Sequence, residues 1–288
     1  MPIKTILVAL TGDTPTPHVV DAAFQLAGPF NSHIIGTDTA VIPLRFGTDL
    51  GVGMTGSYHD ELFKVTEKIT THMHETAQAD FESIREKHLA KITERPSSES
   101  EITCFWVPHT RQIDDPIIML GRTVDLIVVE QPGSITSFNA TQALETALFQ
   151  TGRSILMVPR PDIPFQPMSA IIAWNGSQNA SRAVTAALPL LASMECVSIV
   201  QINDTPDGNP GADYVSDYLG WHDIKAIIHH IDNGDHDDGS ELLEAASNLK
   251  SDMIIMGAYA RSPVREIVFG GMTRHVVYHS NLPVLFAH

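Results

Sequence analysis

The sequence predicts an α/β protein made of two tandem copies of a doubly wound, mainly parallel five-stranded sheet. Three observations predict it: strand signals that recur in the same order, short apolar runs alternating with helical periodicity, and a proline-rich joint midway. Near the start stands Ile6-Leu7-Val8-Ala9-Leu10-Thr11-Gly12, followed at helical spacing by Val19, Ala22, Ala23, Leu26 and Ala27. In the second half Ile171-Ile172-Ala173-Trp174-Asn175-Gly176 is followed by Ala180, Ala183, Val184, Ala187 and Leu188. Asp125-Leu126-Ile127-Val128-Val129 is matched by Asp252-Met253-Ile254-Ile255-Met256, and Ser154-Ile155-Leu156-Met157-Val158-Pro159 by Pro283-Val284-Leu285-Phe286-Ala287. Three signals in one order mark an internal duplication. The stretch Pro159-Arg160-Pro161-Asp162-Ile163-Pro164 suits an extended joint, which sets the copies at 1–163 and 164–288.

The second copy shows the pattern most clearly. Strands are expected near 169–174, 196–203, 224–231, 252–256 and 283–287, and helices near 177–192, 210–221, 238–249 and 271–280. Strands flanked by helices imply a mainly parallel sheet covered on both faces, and such strands are apolar on both sides, as Met253-Ile254-Ile255-Met256 is. In the first copy residues 58–95 read as one long polar-faced helix or a helix pair. A glycine-rich loop (Gly47, Gly51, Gly53, Gly56) precedes it and reads either as a mobile lid or as a disordered connection.

Composition narrows the function. Among 288 residues, 43% are hydrophobic and 18% charged, an ordinary globular balance. A formal net charge of −16 opposes nucleic acid as a general partner. It leaves room for a pocket in which backbone amides hold an anion. Cys104 and Cys196 stand alone in apolar strand-like runs, which reads as two buried small hydrophobes. Met1 to Thr5 lead straight into a strand without a signal-peptide core, and no run reaches the ~18 apolar residues that span a bilayer. A cytoplasmic protein with no membrane partner is expected.

The chemistry-bearing segment follows the strand at 252–256. It runs Gly257-Ala258-Tyr259-Ala260-Arg261-Ser262-Pro263-Val264-Arg265, then Glu266-Ile267-Val268-Phe269-Gly270-Gly271-Met272-Thr273-Arg274. Gly257 ends a strand where a side chain would block a ligand. Gly270-Gly271 opens the last helix, whose free N–H groups and dipole favour an anion. Thr273 adds a hydroxyl, and Arg261, Arg265 and Arg274 add positive charge. The competing reading is that these glycines serve only turn and cap geometry.

This segment resembles the signature of the universal stress protein family, Gly-x2-Gly-x9-Gly-Ser/Thr. Gly257 and Gly270 stand at the required separation, while Ala260 replaces the second glycine and Gly271 the hydroxyl residue. The ending His275-Val276-Val277-Tyr278-His279 before Pro283-Val284-Leu285 is similar to the family's last helix and strand. Ala173-Trp174-Asn175-Gly176-Ser177 resembles its first turn, with Asn175 where nucleotide-binding members commonly carry Asp. The resemblance covers nearly the whole chain as two copies of an adenine nucleotide alpha hydrolase-like fold packed as an internal pseudo-dimer. It implies ATP or another adenine nucleotide as ligand, with Mg2+ as the ion that would accompany it. Backbone at Gly257, Gly270, Gly271 and Met272 would cradle phosphate, with Thr273 in support, Asn175 at the adenosine and Arg261 opposite the phosphate charge.

The first copy lacks these features. Its matching segment reads Glu130-Gln131-Pro132-Gly133-Ser134-Ile135-Thr136 before the helix Ala143–Gln150, so a carboxylate stands where Gly257 does. Thr11 stands where Asn175 does. The first copy is therefore expected to be a degenerate partner. The segment His229-His230-Ile231-Asp232-Asn233-Gly234-Asp235-His236-Asp237-Asp238 invites a metal reading, but adjacent strand histidines face opposite ways. Asp237 or Asp238 there reads as a helix N-cap. His72 and His74, two apart on a helix, share no face. Asp114-Asp115 before Pro116 reads as another cap. No nucleophile elbow, HExxH pair or Walker A loop is present. The expected function is a nucleotide-binding regulator of stress physiology with unknown protein partners, at most a slow ATPase. The alternatives are a ligand-free interaction protein, or a binder of another small molecule or metal. A further homodimer stays open.

Overall fold

The computed structural model describes residues 2–39, 56–95, 101–108, 115–133, 138–160, 165–205, 208–232, 237–258 and 271–288. In the first half, β1 (Thr5–Leu10), α1 (Pro17–Ala27), β2 (His33–Asp38) and α2 (Gly56–Lys87) are followed by β3 (Lys91–Ile92) and β4 (Thr103–Val107). Next come α3 (Pro116–Gly121), β5 (Leu126–Glu130), α4 (Phe138–Gln150) and β6 (Ser154–Val158). The second half runs β7 (Ser169–Ala173), α5 (Gln178–Leu191), β8 (Cys196–Ile202), α6 (Ala212–Gly220) and β9 (Ala226–Ile231). It ends with α7 (Asp238–Asn248), β10 (Met253–Gly257), α8 (Gly271–His279) and β11 (Val284–Ala287).

The strands form one sheet in the order β3-β4-β2-β1-β5-β6-β11-β10-β7-β8-β9. Read outward from the centre, each half has the same order of equivalent strands, so the duplication read from the sequence is a duplication of topology. Among the described strands every pairing is parallel except the central one, β6 against β11, where Leu285 lies opposite Leu156. That antiparallel seam joins the copies edge to edge as a pseudo-dimer and leaves neither central strand with an open edge. The first half has one strand more than expected, because β3 pairs with β4 through Lys91 and Ile92. Residues 58–95 accordingly divide: the helix stops at Lys87, and the chain turns into β3 after Leu89 at φ 52°.

Alternate strand residues feed two apolar layers. Ile6, Val8 and Leu10 pack with Val19 and Phe24 of α1 and Phe81 of α2, a layer continued by Ala183 of α5 and Val215 of α6. Leu7 and Ala9 face the other way, in a layer holding Ile117 of α3, Leu144 of α4, Leu242 of α7 and Val276 of α8. Both faces are covered, which is why the strands carry no polar alternation.

An equivalent polar clamp starts the sheet in each half. Asp125 Oδ2 accepts from the Lys4 and Thr5 amides at 2.8 and 2.9 Å. Asp252 Oδ2 accepts from the Met168 and Ser169 amides at 3.0 and 2.9 Å. In each case a hydroxyl, from Thr5 or Ser169, joins the same carboxylate. Between the halves, buried Gln131 donates through Nε2 to the Val277 and Ser280 carbonyls at 2.9 Å each, satisfying the open C-terminal end of α8. Cys104 is buried as expected, and burial pushes its thiol up to about 11. Cys196, at the first position of β8, is exposed instead. The apolar run that follows it belongs to the buried part of that strand.

Candidate functional site

Strand order reverses direction between β1 and β5 in the first half, and between β7 and β10 in the second. The crevice beyond the carboxyl ends of such a pair is where open α/β sheets bind ligands. The two crevices have different contents.

In the second half, Trp174 follows β7 and is held at both ends: its amide donates to the Val200 carbonyl and its indole Nε1 to the Pro210 carbonyl, each at 2.9 Å. Asn175 is exposed, and its Oδ1 accepts from the Ser177 amide at 3.1 Å. Gly176 takes φ +70°, and a Cβ there would sit 2.9 Å from the Pro210 carbonyl oxygen. Turn geometry and close approach both demand glycine at this point. Ser177 caps α5 by accepting from the Ala180 amide at 3.2 Å. On the neighbouring strand, Met256 is in register with Ala173, so Gly257 reaches the same edge.

A Cβ at Gly257 would stand 2.4 Å from the Ala180 amide nitrogen and 2.6 Å from the Asn179 carbonyl carbon. The close approach that Gly257 permits is thus to the first turn of α5, which packs directly on the strand end. The Ala258 carbonyl beyond it accepts from Asn179 Nδ2 at 2.5 Å and lies 3.2 Å from His288 Nδ1. Helix α8 runs back from this edge towards β11, so its N-terminus faces the crevice end of the sheet. Gly271 is its first residue; it is exposed, and among the described residues a Cβ there would meet nothing within 4 Å. Met272 is half-buried and Arg274 exposed, whereas Thr273 is 5% exposed and lies on the inward side with Val276 and Val277. Arg261, Arg265 and Gly270 lie outside the described residues.

In the first half the corresponding edge is filled by its own side chains. Glu130 ends β5, 4% exposed, and Thr11 beyond β1 is fully buried. The Thr11 hydroxyl donates to one Glu130 carboxylate oxygen, and Arg160 Nη2 lies 3.0 Å from the other. The same Arg160 nitrogen donates to Thr14 Oγ1. Burial raises the Glu130 carboxyl above its ordinary value; the bonds from Thr11 and Arg160 oppose this without cancelling it. Gly12 takes φ +70°, as Gly176 does, and a Cβ there would overlap the Met73 carbonyl of α2. Buried Asp38, at the end of β2, pairs with His74 Nδ1 from α2. The sequence offered no sign of the Arg160 and His74 contacts, which join positions far apart in the chain. Gly133 is exposed, and residues 134–137 lie outside the described set.

The acidic caps fall where the sequence placed them. Asp115 Oδ1 accepts from the Ile117 and Ile118 amides at 2.9 and 3.3 Å. Asp237 Oδ2 accepts from the Ser240 amide at 2.9 Å and lies 3.0 Å from His275 Nδ1. Its slight burial raises the carboxyl, but the bonds from Ser240 and Gly239 and the His275 charge outweigh that and hold it low. His229 is half-buried and His230 exposed on β9, while His236 lies outside the described residues. Among the described residues, no helix is long and apolar enough to cross a membrane.

Residues 222–288 match the model of the Universal stress protein family. Over its whole length the chain is similar in fold to a universal stress protein from Archaeoglobus fulgidus DSM 4304. The TM-score is 0.64 at 16% identity, covering 98% of this chain and 95% of that one. A protein of Pseudomonas aeruginosa UCBPP-PA14 named for the same family gives a TM-score of 0.57 at 12% identity, covering 99% and 93%. A functionally unknown protein of Pseudomonas aeruginosa PAO1 gives 0.56 at 12%, covering 99% and 92%. No curated protein matches the chain. The resemblance read from the sequence therefore holds at two levels: a family match in the last part of the chain, and a common fold across all of it.

Proposed function

We propose that the chain is a universal stress protein that binds an adenine nucleotide, ATP or AMP, in the crevice of its second copy and acts as a cytoplasmic regulator. The copies are 1–163 and 164–288, the first a degenerate partner. The observation that carries this reading is the contrast between the crevices. The first holds a buried Glu130 carboxylate; the second has Gly257 at the equivalent strand end and opens α8 with Gly271. Phosphate would lie against backbone N–H groups of Gly257, Gly270, Gly271 and Met272, at a helix start whose dipole favours it. Asn175, exposed beside the turn, would meet the adenosine. Arg261 would offset phosphate charge, and Mg2+ would accompany a triphosphate. Thr273 is the weakest member of the set, because its inward placement keeps its hydroxyl from the solvent side. No general base is assigned, so hydrolysis would be slow and binding is the function.

Calorimetric titration of ATP and AMP into wild type, Gly271→Asp and Gly133→Asp tests the reading. A carboxylate at the start of α8 should weaken binding about ten- to thirtyfold, as expected for a charge set against an anion. No described residue stands within 4 Å of a Cβ at Gly271, so the fold should stay intact. Gly133→Asp should bind as wild type does. If Gly133→Asp alone loses binding, the site belongs to the first copy.

One observation favours a second reading, a ligand-free interaction protein. Gly257 has a packing reason of its own, the 2.4 Å approach to Ala180, and so needs no ligand to explain it. Absence of binding at millimolar nucleotide would transfer the assignment to that reading.

A further inference from the structure

The two copies differ in the space between their first two long helices, filled in the first and open to solvent as a recess in the second. The N-caps Thr16 and Ser177 are equivalent, which places Phe24 of α1 opposite Thr185 of α5 in the repeat. The two positive-φ glycines are equivalent as well, and each is closed by a backbone carbonyl, Met73 for Gly12 and Pro210 for Gly176. Counting on from that pair makes Phe81 of α2 equivalent to Tyr218 of α6. In the first copy Phe24 is fully buried, 6.0 Å from Phe81 and stacked on His88 at 5.1 Å, and it fills the space between the two helices. In the second copy threonine stands where that ring would be. A cavity of about 220 Å3 lies there, lined by Trp174, Val184, Pro210, Tyr214, Tyr218 and the hydroxyl residue Thr185.

We infer that this cavity between α5 and α6 is a binding site for a small neutral aromatic molecule of the phenol or indole class, whose ring takes the place Phe24 holds in the first copy. The chemistry of the walls sets that class. Trp174 and Val184 are buried at the base, and the Trp174 indole is fixed by its bond to the Pro210 carbonyl, so the floor is preformed. Tyr214 and Tyr218 line it as well, 72% and 36% exposed, and supply aromatic surface for an entering ring. An apolar cavity of roughly 150 Å3 suffices for benzene, so this volume accommodates one substituted ring or two fused rings. Among the described residues no charged side chain lines it, which selects against ions. Thr185 Oγ1 donates to the Ser181 carbonyl at 3.0 Å, so its lone pairs remain to accept from a ligand N–H or O–H. The cavity adjoins the turn that carries Asn175, sharing Trp174 and Pro210 with it, but its other walls are α5 and α6 and the inference does not rest on nucleotide binding.

The test uses the full chain with indole and p-cresol as probes and cyclohexanol as the non-aromatic comparator, followed through the methyl resonances of Val184 and Val215. Saturable shifts with indole and p-cresol, and at least tenfold weaker binding of cyclohexanol, are expected. Thr185→Phe rebuilds the packing of the first copy and should reduce probe affinity at least tenfold without lowering the melting temperature. Should that variant fail to fold, Ser181→Leu narrows the same rim and replaces it in the test, with the same expected loss. The inference is overturned by an absence of saturable shifts up to the solubility limit of indole, by undiminished binding in the folded filling variant, or by equal affinity for cyclohexanol.

Discussion

At the carboxyl edge of the sheet the two copies solve one geometric problem in opposite ways. Each has a sharp turn after its first strand, made by a glycine at φ +70° and closed by a backbone carbonyl. One residue position on the neighbouring strand then separates them. Glu130 reaches across to Thr11 and Arg160 and closes the first crevice, whereas Gly257 lets α5 pack on the strand end and puts no side chain of its own into the second. A duplicated fold can thus keep its scaffold in both copies while one places a hydrogen-bonded carboxylate at the strand end and the other packs a helix there. The clamps at the opposite end of the sheet, Asp125 with Thr5 and Asp252 with Ser169, stay the same, because they hold the sheet together and take no part in the crevice.

The largest effect should come from giving Gly257 a side chain. In Gly257→Ala the new Cβ would press on the Ala180 backbone, which has no flexible side chain to yield, and unfolding free energy should fall by about 3 kcal/mol. Gly271→Ala, whose Cβ would meet none of the described residues, should leave stability unchanged or raise it by about 0.5 kcal/mol. Urea denaturation of the two variants measures both. Similar losses at both positions would break the distinction between a packing glycine and an open one.

A smaller loss is expected at the position that follows, Gln131 in the first copy and Ala258 in the second. Gln131→Ala removes both bonds to the end of α8 and leaves the Val277 and Ser280 carbonyls short of a buried partner, at a cost of about 2 kcal/mol. Hydrogen exchange should quicken in α8 more than in α4. An equal change in both helices would mean that the contact is not specific to the seam between copies.

The smallest effect concerns Glu130. Burial raises its carboxyl above the ordinary 4.5, so its stabilising contribution is fully present below that value and declines as pH rises through the raised one. Glu130→Gln cannot titrate. The stability of wild type relative to this variant should therefore be greatest below pH 4.5 and fall as pH rises above it, by less than the cost of Gln131→Ala. Thermal melts across that range would show it. A difference independent of pH would mean that the pairing with Arg160 offsets the burial completely.

Much of the scaffold was legible in the chain. Ile6–Leu10, Leu126–Val129 and Ile155–Val158 recur as matched runs because a strand buried on both faces must be apolar at every position. The helices of the second half began and ended within about two residues of expectation, since Ser177 and Asp237 are caps whose side chains act on their own neighbours. The first half was less legible. Its helix from Gly56 continues into β3, and Lys91 and Ile92 form a strand through partners on β4 that no local pattern announces. Cys196 was misread for a related reason: strand periodicity does not say which end of a strand meets solvent.

By itself the sequence determined the duplication, the class of the sheet and the location of the caps, because each depends on spacing within a few residues or on the recurrence of a run. Only the tertiary structure decided which crevice is closed. Glu130 is a carboxylate at a strand end in either case; its burial against Thr11 and Arg160 depends on residues 119 and 30 positions away in the chain. The same holds for Gly257, where close packing of the first turn of α5 leaves no room for a side chain. It holds again for Thr185, an ordinary helix residue in sequence, which borders a cavity because the ring that would fill it belongs to the other copy. Contacts between distant segments are set by the free energy of the whole packed assembly, and a short window of residues contains no measure of it.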